Sequence, residues 1–210
     1  MRGVLICFEG LDRSGKSTQV KLLNESLNQQ KENSSTIIRF PDRTTLIGQQ
    51  INAFLSGKQE ISSEVMHLLF TANRWELKTK IIETLNQGIN VIIDRYSYSG
   101  IAYSVARGLD YKWCSAPENG LPKPDVVFFL TVDNENTIMN RKDFGNEIFE
   151  KPEIQKKVKE VYQTKLIEKN WIEINSSMSI DSIHELILNK TNNLIASNRE
   201  SCIDKLSFKY

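Results

Sequence analysis

The sequence has few residues that bind structural metals. Its 210 residues include three cysteines, Cys7, Cys114 and Cys202, and two histidines. The cysteines are far apart and show no C-x-x-C spacing, so the sequence predicts neither a zinc site nor a disulfide framework. His67 and His184 have no partner at metal-ligand spacing, and we interpret both as structural.

Long apolar runs and an excess of charge of one sign are also missing. The longest apolar stretch, residues 126–130, is far too short to cross a bilayer. The 27 basic residues nearly balance the 26 acidic ones, giving a net charge of +1. This balance predicts no broad surface for nucleic acid or for an anionic membrane, so any anion must be bound by a local cluster. A strand-like run follows Met1-Arg2-Gly3 directly, so we expect no signal peptide and a cytoplasmic protein.

Short apolar runs alternate with longer amphipathic segments. Continuous runs rich in β-branched and aromatic residues predict strands covered on both faces, at 4–8, 36–40, 89–93 and 126–130, with a weaker fifth at 171–174. Helical spacing of apolar residues predicts helices over 17–27, 47–55, 65–85, 154–166 and 180–195. This alternation is typical of an α/β fold with a parallel sheet.

No repeat or low-complexity tract divides the chain, so we expect residues 1–210 to form a single domain. Residues 141–152 are charged and contain Gly145, which predicts a mobile surface segment. The tail, residues 197–210, is polar and is expected to be peripheral.

The strongest motif lies between the first predicted strand and the first predicted helix. Residues Gly10-Leu11-Asp12-Arg13-Ser14-Gly15-Lys16-Ser17 match G-x-x-x-x-G-K-[ST]. The glycines let backbone N–H groups point inward, and the helix N-terminus adds partial positive charge. Lys16 would reach the β- and γ-phosphates, and Ser17 would place its hydroxyl on Mg²⁺. The alternative, a turn followed by a helix cap at Ser17, is weak because the strand–loop–helix frame is present.

Two charged residues inside this loop are unusual for a structural turn. Arg13 is placed to stabilise charge on a transferring phosphoryl group. Asp12 would be repelled by phosphates unless it faces a hydroxyl group or a cation.

A second charged cluster follows the predicted strand 89–93. Asp94 lies where ligands meet the edge of a parallel sheet, so it is predicted to hold the water shell of Mg²⁺, and Arg95 to bind a phosphate. The alternative is a solvated pair at a strand end.

Aromatic and arginine side chains also recur together. Phe70 and Arg74 are four residues apart on one predicted helix and share a face, which suits a flat base. Phe40 and Arg43 follow the second predicted strand. Taken alone, the pattern favours a core position for Phe70, in one apolar stripe with Leu69 and Val65.

Four blocks behind the loop resemble the signatures of the thymidylate kinase family, over about residues 3–195. They are Phe40-Pro41-Asp42-Arg43, Leu68-Leu69-Phe70-Thr71-Ala72-Asn73-Arg74-Trp75-Glu76, Asp94-Arg95-Tyr96-Ser97-Tyr98-Ser99-Gly100 and Gly120-Leu121-Pro122-Lys123-Pro124-Asp125. The resemblance implies a P-loop nucleoside monophosphate kinase fold, with a five-stranded parallel sheet, flanking helices and a short lid. It also implies a homodimer and Mg²⁺-dependent transfer of the γ-phosphoryl group from ATP to dTMP.

The resemblance further implies roles for single residues. Phe70 would stack on thymine, Arg74 would bond its edge, and Asp12 would face the 3′-hydroxyl. The other residues assigned to dTMP are Phe40, Arg43, Arg95, Ser99, Gly100, Tyr103 and Gln155. The residues assigned to ATP are Arg13, Ser14, Gly15, Lys16, Ser17, Thr18 and, in the lid, Arg141. Catalysis is assigned to Asp12, Arg13, Lys16 and Arg95, and the metal to Ser17 and Asp94.

The lid departs from the family pattern at one position. Phe149 stands where members usually carry tyrosine. Arg13 places the catalytic arginine in the phosphate loop, as in eukaryotic and poxviral members. Arg141 and Lys142 nevertheless leave basic charge in the lid, so a supporting role for the lid stays open.

Two other functions compete with this interpretation. A deoxynucleoside kinase shares the loop and the strand-end pair, but it would need a carboxylate base rather than two arginines for an acceptor phosphate. A GTP-binding switch would need N-K-x-D, and Asn192 replaces the acid in Asn189-Lys190-Thr191-Asn192.

Overall fold

Five strands form one parallel sheet in the part of the chain that the computed structural model describes, residues 2–132, 149, 151–168, 171–197 and 202–208. They are Leu5–Gly10 (β1), Ser35–Arg39 (β2), Asn90–Asp94 (β3), Val126–Thr131 (β4) and Ile172–Asn175 (β5). Their order is β2-β3-β1-β4-β5, and every neighbouring pair is parallel. All five predicted strands are confirmed, the weak fifth included.

The described helices connect and cover these strands. They are Lys16–Gln30 (α1), Leu46–Leu55 (α2), Ser63–Glu76 (α3), Lys78–Asn86 (α4), Ser97–Ala106 (α5), Tyr111–Ser115 (α6), Pro152–Val161 (α7) and Ile180–Ser197 (α8). A 3-10 turn at Ala116–Glu118 follows α6, and a π-helical turn at Tyr162–Leu166 follows α7. None of these helices is both long and apolar enough to cross a membrane.

The helices differ from prediction in four places, one of which is the short helix α6, which was not predicted. The segment 65–85 is two helices, α3 and α4, which meet at Leu77, and 154–166 ends in the π-helical turn rather than continuing as α-helix. Helix α5 was not predicted. Eight of its ten residues are buried, so it has no polar face, and its apolar residues show no helical period.

The core lies on both faces of the sheet, as continuous apolar strands require. On one face, Ile6 and Phe8 of β1 pack with α1 and α8. On the other face, Leu5 and Cys7 pack with α2, α3, α4, α5 and α7. Both faces are therefore covered, and ligands can approach at the edge where the strands end.

The described part of the tail packs against the body. Gly120 donates its N–H to the Leu206 carbonyl at 3.0 Å, and Leu206 returns a bond to Leu121 at 2.8 Å. Leu206 is buried. Of the predicted lid, 141–152, the structure describes Phe149, Lys151 and Pro152, so Arg141, Lys142 and Gly145 lie outside the described residues.

Candidate active site

A cleft of about 1040 Å³ opens where β1, β2 and β3 end. Its volume is at the upper end of the usual range for small-molecule sites. Basic side chains outnumber acidic ones in its lining: Arg13, Lys16, Arg39, Arg43, Arg74, Lys80, Arg95 and Arg107 against Asp12, Asp42 and Asp94. A nearly neutral chain thus concentrates positive charge in one cleft, which is suited to anionic ligands.

The phosphate loop joins β1 to α1 at this edge. Gly10 and Gly15 have positive φ angles of 136° and 94°. A Cβ atom on Gly10 would lie 2.4 Å from the Leu130 carbonyl oxygen, so the loop fits against β4 only with glycine there. The loop leads into the N-terminus of α1, where backbone N–H groups favour an anion.

Lys16 lies buried at the base of this loop. Its ammonium group donates to the Leu11 carbonyl and, at 3.2 Å, to Ser14 Oγ. Burial, together with the charge of Arg95, lowers the pKa of Lys16 to about 7. A bound phosphate would add negative charge beside Lys16 and would raise its pKa.

The two residues assigned to the metal are in contact. Ser17 Oγ donates to Asp94 Oδ2 at 2.7 Å. Arg39 was not predicted, yet it is paired in register with Asp94 and binds the same oxygen through Nε at 3.0 Å and Nη2 at 2.9 Å. The sequence feature that could have identified Arg39 is a basic residue at the last position of the strand next to Asp94. One hydroxyl and one carboxylate are the oxygen donors that Mg²⁺ takes in combination with water and phosphate, so the residues fit that ion.

Asp12 is hydrogen-bonded to three predicted residues that are distant from it in sequence. Its Oδ1 accepts a bond from Arg95 Nη2 at 2.5 Å, and its Oδ2 accepts bonds from Tyr103 at 2.8 Å and Gln155 at 2.6 Å. Burial raises the pKa of Asp12, but the charges of Arg95 and Lys16 and these hydrogen bonds outweigh it and hold the pKa below its ordinary value. The acid inside the loop is therefore ionised and held by three hydrogen bonds.

Arg95 is held in an unusual backbone conformation, with φ at +67°. Its Nη1 donates to the Gly10 carbonyl at 3.1 Å and to Ser99 Oγ at 3.2 Å. Burial opposes its charge, but Tyr103 and Asp12 raise the pKa of Arg95 above the ordinary value. The guanidinium stays charged beside the phosphate loop.

Glu9 is a buried residue of this site that sequence reasoning missed. Its Oε1 accepts the N–H of Tyr96 at 2.9 Å and of Ser99 at 3.2 Å, and its Oε2 accepts bonds from Ser99 Oγ at 2.5 Å and Tyr162 at 2.7 Å. Glu9 thus holds the backbone that follows Arg95. The signal was an acid inside a buried strand, one residue before the loop.

The far end of the cleft is aromatic. Phe70 and Phe40 line it, and the Phe40 ring packs on Tyr96 with centroids 5.7 Å apart. Phe149 closes over this end, with its ring centroid 5.4 Å from that of Tyr103 and 6.5 Å from that of Phe70.

Arg74 reaches the same end from α3 but is buried. Its Nε donates to Glu118 Oε2 at 2.9 Å, and its Nη2 donates to Glu118 Oε1. Gly100 lies against the guanidinium, and a Cβ atom there would be 2.4 Å from Nη2. Glu118 was not predicted, and nothing in the local sequence pattern marks it.

The other predicted residues are placed in two ways. Arg13, Gly15, Thr18 and Arg43 line the cleft, and Arg43 Nη1 donates to Asn52 at 2.8 Å. The side chains of Ser14 and Gln155 are buried and contact the site through Lys16 and Asp12. Arg141, which was predicted to bind ATP, lies outside the described residues.

Comparisons with known proteins point to one family. A family model described as thymidylate kinase matches residues 8–187. The thymidylate kinase of Dictyostelium discoideum is 48% identical over 182 residues, which are 87% of this chain and 82% of the relative. That of Schizosaccharomyces pombe is 44% identical over 198 residues, 92% and 93% of the two chains. The solved structure of thymidylate kinase from Candida albicans is similar with a TM-score of 0.88 at 36% identity, over 98% of this chain and 99% of that one.

Proposed function

The chain belongs to the thymidylate kinase family and phosphorylates dTMP with ATP; from that premise, we propose that the cleft described above carries out this transfer. One observation carries the proposal. The phosphate loop, which suits the donor, and Arg95, which suits the acceptor phosphate, are joined directly by the Asp12–Arg95 pair. Two anion sites therefore meet end to end, as in-line transfer between two phosphates requires.

On the donor side, we propose that the loop from Arg13 to Thr18 binds the ATP phosphates. Lys16 would neutralise the β- and γ-phosphates, and Arg13 would stabilise charge on the phosphoryl group as it moves. Ser17 and Asp94 would hold Mg²⁺, which neutralises phosphate charge when it is bound with ATP. Arg39 would then exchange its contact with Asp94 for contact with solvent or phosphate, since its side chain is 56% exposed.

On the acceptor side, Arg95 and Arg43 would bind the phosphate of dTMP. Asp12 would accept a hydrogen bond from the 3′-hydroxyl. Gln155 and Tyr103 would hold the Asp12 carboxylate in place, and Tyr103 would also close against the sugar. Phe70 would stack on the base and Arg74 would bond its edge, in a slot also lined by Phe40, Ser99 and Gly100. The acceptor oxygen is already anionic, so positioning and charge neutralisation supply the catalysis and no general base is needed.

Closure and assembly are further parts of the proposal. Residues 141–152 would form the lid that excludes water, with Arg141 packing on adenine. The chain would act in the cytoplasm as a homodimer. Exposed apolar side chains on the adjacent helices α2 and α3 support a dimer: Leu46 is 81% exposed, Val65 48% and Leu68 47%. Light scattering that gives the monomer mass at micromolar concentration would contradict it.

An acceptor screen tests the proposed function. The purified protein would be given ATP, Mg²⁺ and, separately, thymidine or each nucleoside monophosphate, and formation of ADP would be followed. We expect dTMP to be the preferred acceptor. Preference for thymidine would instead indicate a deoxynucleoside kinase, which the arginines at the acceptor end disfavour. A GTP switch is disfavoured because 189–192 lies inside α8.

A further inference from the structure

A buried ion pair holds the side chain proposed to contact the base. Glu118, in the turn after α6, has no exposed surface, and Arg74 is 1% exposed. Both carboxylate oxygens accept bonds from Arg74, and Oε1 also accepts one from Thr71 Oγ1 at 2.6 Å. Burial opposes ionisation of Glu118, but the charge and hydrogen bonds of Arg74 and Thr71 outweigh it and hold its pKa below the ordinary value. The pair is thus charged on both sides.

The way in which the two side chains meet fixes the orientation of the guanidinium. Glu118 binds the edge formed by Nε and Nη2, which leaves Nη1 without a hydrogen-bond partner among the residues that the structure describes. On its other side, the guanidinium lies against Gly100, where a Cβ atom would be 2.9 Å from both Cζ and Nη1. A carboxylate and a bare backbone position therefore hold Arg74 in one plane at the wall of the cleft.

An arginine fixed in this way distinguishes bases by their hydrogen-bonding edge. A guanidinium only donates hydrogen bonds, and it has no acceptor. Thymine and uracil present a carbonyl oxygen at position 4, whereas cytosine presents an amino group that also donates. A fixed donor forms a hydrogen bond with the carbonyl oxygen of thymine or uracil. Against cytosine, the donor faces the amino group, which also donates, so one buried polar group stays unpaired. An unpaired polar group discriminates between ligands more strongly than a difference in apolar contact.

We propose that Glu118 is a positioning residue that acts through Arg74 to select 4-oxo over 4-amino pyrimidine nucleotides. This inference rests on the proposed function, since it takes Arg74 to contact the base of dTMP. The alternative is a purely structural role, in which Glu118 only anchors the turn 116–118 to α3. The two roles predict different results. If Glu118 only anchored the turn, its effect on dTMP binding would not depend on the contact between Arg74 and the base.

A double-mutant cycle separates them. Glu118→Gln, Arg74→Met and the double variant would be titrated calorimetrically with dTMP and with a non-hydrolysable ATP analogue. We expect Glu118→Gln to weaken dTMP binding about tenfold to a hundredfold, the range for losing one partner of a buried charged bond, and to leave the ATP analogue within about twofold. In the Arg74→Met background, Glu118→Gln should weaken dTMP binding no further.

Selectivity provides the second readout. The ratio of kcat/KM for dTMP to that for dCMP should fall in Glu118→Gln. Asp125→Asn is the matched control, because Asp125 forms an ion pair with Arg2 at 2.7 Å at the opposite end of the sheet. This control should keep the wild-type ratio even if its melting temperature falls.

Two results would overturn the inference: independent, multiplicative losses in the double variant, or an unchanged dTMP to dCMP ratio in active Glu118→Gln. If Glu118→Gln does not fold, Glu118→Asp keeps the charge but withdraws it by one methylene, and it must lower the same ratio. A wild-type protein that does not phosphorylate dTMP would instead remove the proposed function, so the two failures are distinguishable.

Discussion

In the proposed function, Asp12 is one residue of the phosphate loop that would serve both binding sites. An acid in a phosphate loop would repel the triphosphate if its carboxylate faced inward. Here it is turned toward Arg95, Tyr103 and Gln155, which hold it by three hydrogen bonds. The phosphate loop would therefore contribute a group to the acceptor site and still keep its surface for the donor phosphates.

Substitution of Arg13 is expected to have a large effect on the rate of phosphoryl transfer. Arg13→Ala should lower kcat by a factor on the order of 10³, the low end for arginine fingers, because its proposed contact forms with the moving phosphoryl group. The affinity for dTMP should change little. Steady-state kinetics with ATP and dTMP measure both, with the exposed Lys31→Ala as the control. A near-normal kcat would remove Arg13 from the mechanism.

We expect the binding of nucleotide to be linked to protonation of Lys16. Its pKa is about 7 in the free protein, and bound phosphate charge raises it. Above pH 7 the free lysine is mostly neutral, so nucleotide binding at pH 8 should take up protons. At pH 6 the lysine is already charged before binding and adds no uptake. Calorimetry in buffers of different ionisation enthalpy measures this, and Lys16→Met is the comparison. Uptake at pH 8 that persists in Lys16→Met would assign it to another group.

Some of these residues were predictable and others were not. Asp12, Lys16 and Asp94 stand in short local motifs whose chemistry is readable from spacing. Glu9, Arg39 and Glu118 are defined by their partners, which are 87, 55 and 44 residues away along the chain. No local pattern encodes such a pairing, because it exists only after the sheet and helices are assembled.

At the scale of elements, the strands were the easiest features to predict and α5 was the hardest. The central strands β1, β3 and β4 are buried and almost continuously apolar, so they were the clearest. The edge strands β2 and β5 are only partly buried, and β5 was accordingly the weaker prediction. Helix α5 is buried on nearly all sides and contains Gly100, so neither amphipathic period nor composition indicated a helix. This element carries Ser99, Gly100 and Tyr103, so missing it hid how those residues share one wall of the cleft.

The tail is an element with a measurable contribution. Leu206 is buried and its segment bonds the strand-like stretch after Glu118. Leu206→Ala should lower the free energy of unfolding by about 2 kcal/mol, the low end for buried leucine, because its site lies at the periphery of the core. Chemical denaturation measures this, and Lys205→Ala, at an exposed neighbouring position, should be neutral. Equal stability of the two variants would show that the tail does not contribute to the fold.

At the scale of the whole molecule, strand order creates the site. The order β2-β3-β1 brings Arg39, Asp94 and Gly10 to adjacent strand ends, although they are far apart in the chain. The cleft gathers most of its charge from these ends and from the helices that follow them. A chain of net charge +1 would thus bind two highly charged nucleotides through one local site.

The central claim is that ATP and dTMP bind end to end in this single cleft. Calorimetric titration with adenosine and thymidine joined 5′ to 5′ through a polyphosphate chain tests it most directly. If both halves bind together, the linked compound should bind at least about a hundredfold more tightly than ATP or dTMP alone, because the second contact becomes intramolecular. Binding no tighter than that of ATP would contradict the account, since it would mean that the two nucleotides do not occupy one continuous site.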